Sequence, residues 1–210
     1  MDERIKIAVS SPVQVGGNIM SPEQLVAIGT LIGPEGKIEI TPFRQLYAEI
    51  PAHREREIAE RLREAGLEVN PSGFTTKSLI ACNFCKGAEE AGLDIARQID
   101  AAVAGIPTPA PLKVGYAGCA LGTSEPLLKD IGIVKMRNTF DLYAGGDPKG
   151  IKPSFARLVL TGLTEQDLVP AVLKLIDYYK EYAKGKEKFS KFVNRVSIER
   201  LFLIVSRTIR

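Results

Sequence analysis

Three cysteines are the residues of this chain whose type and spacing could support redox or metal chemistry. Cys82 and Cys85 stand in C-x-x-C spacing within SLIACNFCKG, and Cys119 lies within KVGYAGCALGTSEP. Each site follows a short apolar segment and runs into a glycine-containing loop, which can expose backbone N–H groups to sulfur. The first two cysteines could hold one metal ion or two corners of an iron–sulfur cluster, and Cys119 could supply a third ligand.

Other chemistries use the same spacing. An odd number of cysteines argues against a disulfide framework. A thioredoxin-like redox pair also has C-x-x-C spacing and normally opens a helix after a strand. Structural zinc is less favoured because it usually takes four protein ligands, and the single histidine, His53, lies on the other side of Pro71. The cysteine pattern alone therefore leaves metal ligation, a redox pair and buried thiols open.

The elements that must position these cysteines fall into two groups. In the first group, Ser21 and Gln24 have the spacing of a capping box at the start of a helix. A break at Pro71-Ser72-Gly73 then predicts domains over 1–72 and 73–210. Apolar periodicity predicts strands over 5–10, 37–41, 78–81, 114–117, 130–134 and 139–144, and helices over 21–33, 54–65, 93–103, 164–179 and 189–196.

The bulk composition excludes some classes of function. The chain has 210 residues, of which 45% are hydrophobic and 25% charged, as in an average globular protein. A formal net charge of +3, without a basic stripe interleaved with aromatic residues, does not indicate nucleic-acid binding. The N-terminus lacks the apolar run of a signal peptide, and no apolar stretch approaches the ~20 residues of a membrane span. We therefore expect a cytoplasmic protein with neither a nucleic-acid nor a membrane partner.

The stretch KVGYAGCALGTSEPLLKDIGIV at 113–134 resembles the second cluster motif of the sirohaem sulfite and nitrite reductases. ACNFCKG is similar to the first cysteine pair of that family, and IMSPEQLVAIGTLI with IEITPFRQL resembles its ferredoxin-like half-domain. KGKEKFSKFVNRVSIERL at 184–201 resembles the tail of its smaller members. The resemblance implies an α+β fold, with a ferredoxin-like half-domain over 1–72 and a mixed α/β sirohaem/4Fe-4S-type domain over 73–210.

This chain departs from the family pattern at positions that matter for chemistry. Thr123 stands where the family has its fourth cysteine, whose thiolate joins the cluster to the sirohaem iron, and a neutral hydroxyl is a poor cluster ligand. The first cysteine pair has two intervening residues instead of five. Lys77 stands where an arginine is expected, and Pro111 where another basic residue would fall.

The resemblance also implies which residues bind the cofactors. Cys82, Cys85 and Cys119 fall at cluster-ligand positions, so a 4Fe-4S cluster is expected. Sirohaem is a tetrapyrrole rich in carboxylates, and its pocket needs cations, preferably arginine because its planar fork matches a carboxylate. The expected catalytic cations are Arg44, Lys77 and Lys113. These three, with Thr123, Gly145, Gly146 and Lys149 of the loop GGDPKG at 145–150, are the expected cofactor-binding residues.

The function implied by the resemblance is the reduction of sulfite or nitrite, a small oxyanion, with electrons from an external donor such as a ferredoxin or flavoprotein. Because longer relatives pair two such halves, we expect a homodimer or a heteromer with a related chain. The alternative is a divergent, non-catalytic subunit that carries electrons or binds a tetrapyrrole without the bridging cysteine. A structural zinc or thiol role is the least favoured alternative.

Overall fold

Two β-sheets form the framework of the computed structural model, which describes residues 3–149 and 151–209. Met1, Asp2, Gly150 and Arg210 lie outside the described residues. Strands and helices occur in both halves of the chain, and the predicted α+β class is confirmed. The predicted boundary after residue 72 falls between the last strand of one sheet and the first strand of the other. The division into two domains at that point stays a prediction.

The first sheet is antiparallel and has the strand order β2-β3-β1-β4. Its strands are β1 (Arg4–Ser10), β2 (Lys37–Ile40), β3 (Leu46–Pro51) and β4 (Glu68–Pro71), and its helices are α1 (Pro22–Ile32) and α2 (Glu55–Glu64). The capping box predicted at Ser21 and Gln24 is present. Apolar residues of β1, β3 and both helices bury one another in a shared core that includes Ile7, Ile28, Ile50 and Ile58.

The second sheet has the order β5-β6-β7-β8-β9. Its strands are β5 (Ile80–Ala81), β6 (Val114–Ala117), β7 (Ile131–Met136), β8 (Thr139–Ala144) and β9 (Arg157–Leu163). The first three strands are parallel and the last two pairings are antiparallel. The helices of this half are α3 (Leu93–Val103), α4 (Glu165–Tyr182), α5 (Phe189–Val196) and α6 (Ile198–Ser206). Parallel strands bring their carboxyl ends to one edge of a sheet, so the segments after β5 and β6 emerge side by side.

Four elements escaped the sequence-based prediction. They are β3, β4, β9 and α6. β4 has four residues and includes Pro71, which disfavours a strand in sequence reasoning. β9 contains Gly162 and three exposed side chains at Arg157, Leu158 and Thr161, so its alternation is irregular. β3 and β4 both pair with β1, which is distant from them in sequence, and local periodicity carries little information about such a pairing.

Candidate functional site

The loops that carry the cysteines leave two neighbouring parallel strands. Ala81 of β5 lies opposite Tyr116 of β6, and the Cys82 N–H donates to the Tyr116 carbonyl at 3.0 Å. The Gly118 N–H in turn donates to Cys82 Sγ at 3.2 Å. Cys82 is therefore in direct contact with the residue that precedes Cys119, and the topology brings the C-x-x-C loop and the Cys119 loop together.

Aromatic packing fixes the C-x-x-C loop. Phe84 is buried and stacks on Tyr116 with ring centroids 6.0 Å apart, and it adopts a left-handed backbone conformation with φ +53°. With Phe84 directed into the core, Cys82 is buried, whereas Cys85 is exposed and Cys119 is partly exposed. The loop therefore presents one shielded thiol and one accessible thiol. No α-helix starts at either thiol: α3 begins only at Leu93.

The donor set at this site consists of thiols, which are the usual ligands of iron–sulfur clusters. Within residues 3–149 and 151–209, no three His, Cys, Asp or Glu side chains converge on the position of one metal ion. Cluster cysteines bind different irons, so they need not meet at one point. The three thiols lie on adjoining loops, and a backbone N–H already donates to one of the sulfurs, as is usual around clusters. Thr123, at the expected fourth position, is exposed on the same loop as Cys119.

Arg44 connects the first sheet to the cysteine loops. It lies in the turn between β2 and β3 with φ +62°, in a conformation stabilised by the Thr41 hydroxyl, which donates to the Gln45 carbonyl at 2.7 Å. Its Nη1 donates to the Ala81 carbonyl at 2.8 Å, directly before Cys82. Arg44 and Cys82 also line the same small internal cavity. The structure thus places the predicted arginine beside the predicted cluster ligand.

Two of the predicted lysines meet at one aromatic ring. The ammonium nitrogens of Lys113 and Lys149 lie 5.7 and 5.2 Å from the centroid of Phe43, the residue before Arg44. A ring attracts cations at such distances. Two lysines from separate segments therefore meet at the Phe43 ring, and their positive charges make the surface suited to an anion.

Asp130 orients Lys113. Its Oδ2 accepts from the Lys113 backbone N–H at 2.8 Å and lies 3.6 Å from Lys113 Nζ. Burial raises the pKa of Asp130 to about 6, although the charge of Lys113 opposes that shift. Neither Phe43 nor Asp130 was among the predicted site residues. Asp130 belongs to the motif at 113–134 that carries the family resemblance, and this could have indicated it. Phe43 is marked in the sequence only by its place beside the expected arginine.

Lys77 occupies a different environment from the other predicted cations. It is 1% exposed, and its Nζ donates to the Gly73 carbonyl at 2.8 Å and lies 5.5 Å from the centre of the Tyr47 ring. Burial lowers the pKa of Lys77 to about 8. The structure therefore joins Lys77 to Gly73 and Tyr47, and does not bring it to the Phe43 ring. Its predicted catalytic role stays a prediction.

Packing inside the protein accounts for the two glycines of the 145–149 loop. A Cβ on Gly146 would lie 2.4 Å from the Lys129 carbonyl oxygen and 2.6 Å from that of Leu127. Gly145 has φ +91°, and a Cβ there would lie 3.0 Å from a methyl carbon of Val193 in α5. The glycines allow the loop to approach its neighbours closely, and this positions Lys149. Direct contact of Gly145 and Gly146 with a cofactor stays a prediction.

The class of protein is defined by a two-sheet α+β fold, by the cysteine loops at one sheet edge, and by a cationic face beside these loops. Arg44, Lys113 and Lys149 form this cationic face. Residues 74–209 match the family model described as "Nitrite and sulphite reductase 4Fe-4S domain". The match covers more than half of the chain. The chain belongs to this family, and the resemblance found in the sequence is confirmed.

Known proteins resemble the chain over most of its length. A cobalt-factor III methyltransferase of Priestia megaterium is 32% identical over 84% of this chain and 32% of its own length. The large subunit of a nitrite reductase [NAD(P)H] of Klebsiella oxytoca is 26% identical over 88% of this chain and 20% of its own. The structure of the Mycobacterium tuberculosis NirA protein superposes with a TM-score of 0.73 at 14% identity, over 98% of this chain and 40% of that one. The chain thus spans only about a fifth to two fifths of the length of these proteins.

None of the helices formed by residues 3–149 and 151–209 has the length and apolar composition needed to cross a bilayer.

Proposed function

We propose that this chain binds a 4Fe-4S cluster through Cys82, Cys85 and Cys119 and accepts sirohaem at the face around Phe43. In this role it takes part in the reduction of sulfite or nitrite. The observation that carries the proposal is the direct contact between the two cysteine loops, with Arg44 bound to the residue before Cys82. A cluster bound there supplies one-electron transfer. We expect this activity in the cytoplasm.

The side chains have distinct tasks in this proposal. Lys113 and Lys149 neutralise carboxylates or a small oxyanion at the Phe43 ring, and Asp130 holds Lys113 in position. The Arg44 guanidinium has one nitrogen on the Ala81 carbonyl, which leaves further donors of its planar fork for an anion. The buried position of Cys82 limits the access of water to the sulfur.

Anaerobic purification followed by reconstitution with iron and sulfide tests the cluster. We expect a brown protein with a broad visible absorption band, and Cys119→Ser is expected to lose the band because a serine hydroxyl is a poor ligand for cluster iron. Ala120→Ser, on the neighbouring exposed residue, is the matched control and should keep the colour. A colourless wild-type protein that retains its fold would refute the cluster, as would a Cys119→Ser variant with unchanged colour.

The exposed hydroxyl of Thr123 offers a gain-of-function test. Thr123→Cys supplies the thiolate that the family has at this position, so we expect higher iron occupancy after reconstitution and slower loss of colour in air. Leu121→Cys adds a thiol to the same loop at a residue that is 79% exposed, and it should give neither effect. Equal iron contents in the two variants would show that position 123 does not face the cluster.

A second candidate function rests on the methyltransferase relative. Its identity to this chain is 32%, yet the shared region makes up only 32% of its length. A domain of this kind therefore occurs in a protein named for methyl transfer as well as in reductases. If this chain does not reduce an oxyanion itself, it would be a non-catalytic subunit that binds a cluster or a tetrapyrrole and transfers electrons. The missing fourth cysteine agrees with this role. A bound cluster with no turnover of sulfite or nitrite would favour this alternative.

We also propose that the chain works with partners. A relative that is the large subunit of an NAD(P)H nitrite reductase supports an external electron donor, such as a ferredoxin or a flavoprotein. Pairing with a second copy or with a related chain is part of this proposal. Exposed apolar side chains near the Cys119 loop, Leu121 and Phe155, are consistent with a contact surface there.

A further inference from the structure

Two buried carboxyl groups lie where the two sheets meet. Asp100 of α3 is 4% exposed, and its Oδ1 accepts from the Leu79 N–H at 2.6 Å. Glu68 of β4 is partly buried and lines the same cavity and the same surface groove as Asp100. Two carboxyl oxygens can share a hydrogen bond only when one carboxyl carries a proton, because an ionised carboxylate is an acceptor only. A singly protonated pair is therefore the state in which two neighbouring carboxyl groups can share a hydrogen bond.

A small polar cavity adjoins this pair. Its volume is about 10 Å³, the lower limit for one water molecule. Among the residues that the structure describes, four buried side-chain atoms lack a hydrogen-bond partner, and three of them belong to residues lining this cavity. They are Ser11 Oγ, Gln45 Oε1 and Glu68 Oε2. Unpaired buried polar atoms are costly, and polar groups that converge on a space of this size are the usual surroundings of an internal water.

The cavity and a surface groove share the two carboxyl groups as a common wall. The cavity is also lined by Arg44 and Cys82, which belong to the candidate site. The groove is open to solvent and is lined by Arg63 and Arg97, whose guanidinium groups donate to the carbonyls of Val69 and Val13. These four residues are the other titratable or charged groups around the pair. The pair thus separates the groove, which is open to solvent, from the cavity, which reaches Arg44 and Cys82.

We propose that Glu68 and Asp100 share one proton at neutral pH and that the cavity beside them binds a water, so that together they connect solvent protons to the Arg44 side of the site. The inference deepens the proposed function, on which its use rests, because reduction of an oxyanion takes up protons as well as electrons. The shared proton passes through the water to the oxyanion that is being reduced, and the pair regains a proton from solvent through the groove.

The pKa directions agree with the geometry. Burial, and then the charge of Asp100, raises the pKa of Glu68 to about 8, and burial raises the pKa of Asp100. Because the raised pKa of Glu68 belongs to the folded state, the folded protein binds more protons than the unfolded chain between the usual glutamate range and pH 8. Stability therefore falls as the pH rises through that window.

Infrared spectra between pH 7 and 9, and urea unfolding between about pH 6.5 and 8, test the shared proton. This range lies above the raised pKa of Asp130, and the unfolding range ends at the lowered pKa of Lys77. We expect a protonated-carboxyl band that persists at pH 7 and disappears toward pH 9. It should be lost in Glu68→Gln, and in Asp100→Asn it should disappear at a lower pH, because the charge of Asp100 no longer raises the pKa of Glu68. The unfolding equilibrium constant should rise by up to about tenfold per pH unit in the wild type and much less in Glu68→Gln. Glu64→Gln, on an exposed residue of α2, should behave like the wild type.

The outcomes separate this inference from the proposed function, because neither measurement needs a cluster or an oxyanion. A wild type without a carboxyl band at pH 7 would overturn the shared proton even if no variant folds. A high-resolution crystal structure with a dry cavity would overturn the water. A colourless protein whose pair still titrates near pH 8 would retain the proton site and refute only the reductase proposal.

Discussion

Replacing Gly118 with alanine is expected to abolish cluster binding and to lower the free energy of unfolding by about 1–3 kcal/mol, the range for overpacking in a filled interior. A Cβ at position 118 would lie 2.6 Å from the Ala91 Cβ and 2.7 Å from the Ala91 carbonyl oxygen. That carbonyl cannot move freely, because it accepts from the buried Tyr116 hydroxyl at 2.8 Å. The Cys119 loop must shift instead, which breaks the Gly118 N–H bond to Cys82 Sγ.

The matched control is the same substitution in an open position. Gly29 lies on the exposed side of α1, and no atom lies within 4 Å of a Cβ built there. Gly29→Ala should therefore stabilise the protein by about 0.5–1 kcal/mol, because alanine costs less entropy than glycine in a helix. Iron content after reconstitution and urea unfolding measure the two effects. A Gly118→Ala protein with wild-type iron content would show that the cysteine loops need not be in contact.

The sequence was informative about local features of the site and uninformative about its assembly. The sequence predicts strands 114–117 and 139–144 with the bounds that the structure has, because both are rich in apolar residues and end at glycine-containing loops. The cysteine positions followed from the family resemblance. The contact between Cys82 and Gly118 depends on the register between β5 and β6. This register is set by the pairing of strands that are distant in sequence.

The cationic face shows the same limit more clearly. Motif and charge indicate Arg44, Lys113 and Lys149 separately, and nothing in their spacing predicts that the two lysines share the Phe43 ring. Lys77 was chosen by the same reasoning, and it lies buried against Tyr47. A motif indicates which residue types are available, whereas side-chain direction depends on the strand pairing and loop packing around them.

Replacing Phe192 with alanine is the other change for which we expect a large effect, a loss of about 3–5 kcal/mol of stability, as for other buried phenylalanines. Phe192 of α5 is fully buried, and its ring centroid lies 5.2 Å from that of Tyr179 and 5.7 Å from that of Tyr178. Truncation removes these contacts and leaves a cavity. Phe202→Ala in α6, at a residue that is 45% exposed, should cost about 1 kcal/mol or less. Urea midpoints at unchanged slope measure both losses.

The effect should extend from α5 to the cationic face. Ser190 and Lys188 both contact Asp147 Oδ2, at 3.2 and 3.5 Å, and the Asp147 carboxylate accepts from the Lys149 N–H at 3.1 Å. A loosened α5 therefore frees the loop that directs Lys149 to Phe43. We expect the folded fraction of Phe192→Ala to bind sirohaem more weakly than Phe202→Ala, as measured by absorbance titration. Equal affinities in the two variants would show that α5 stabilises the fold without positioning Lys149.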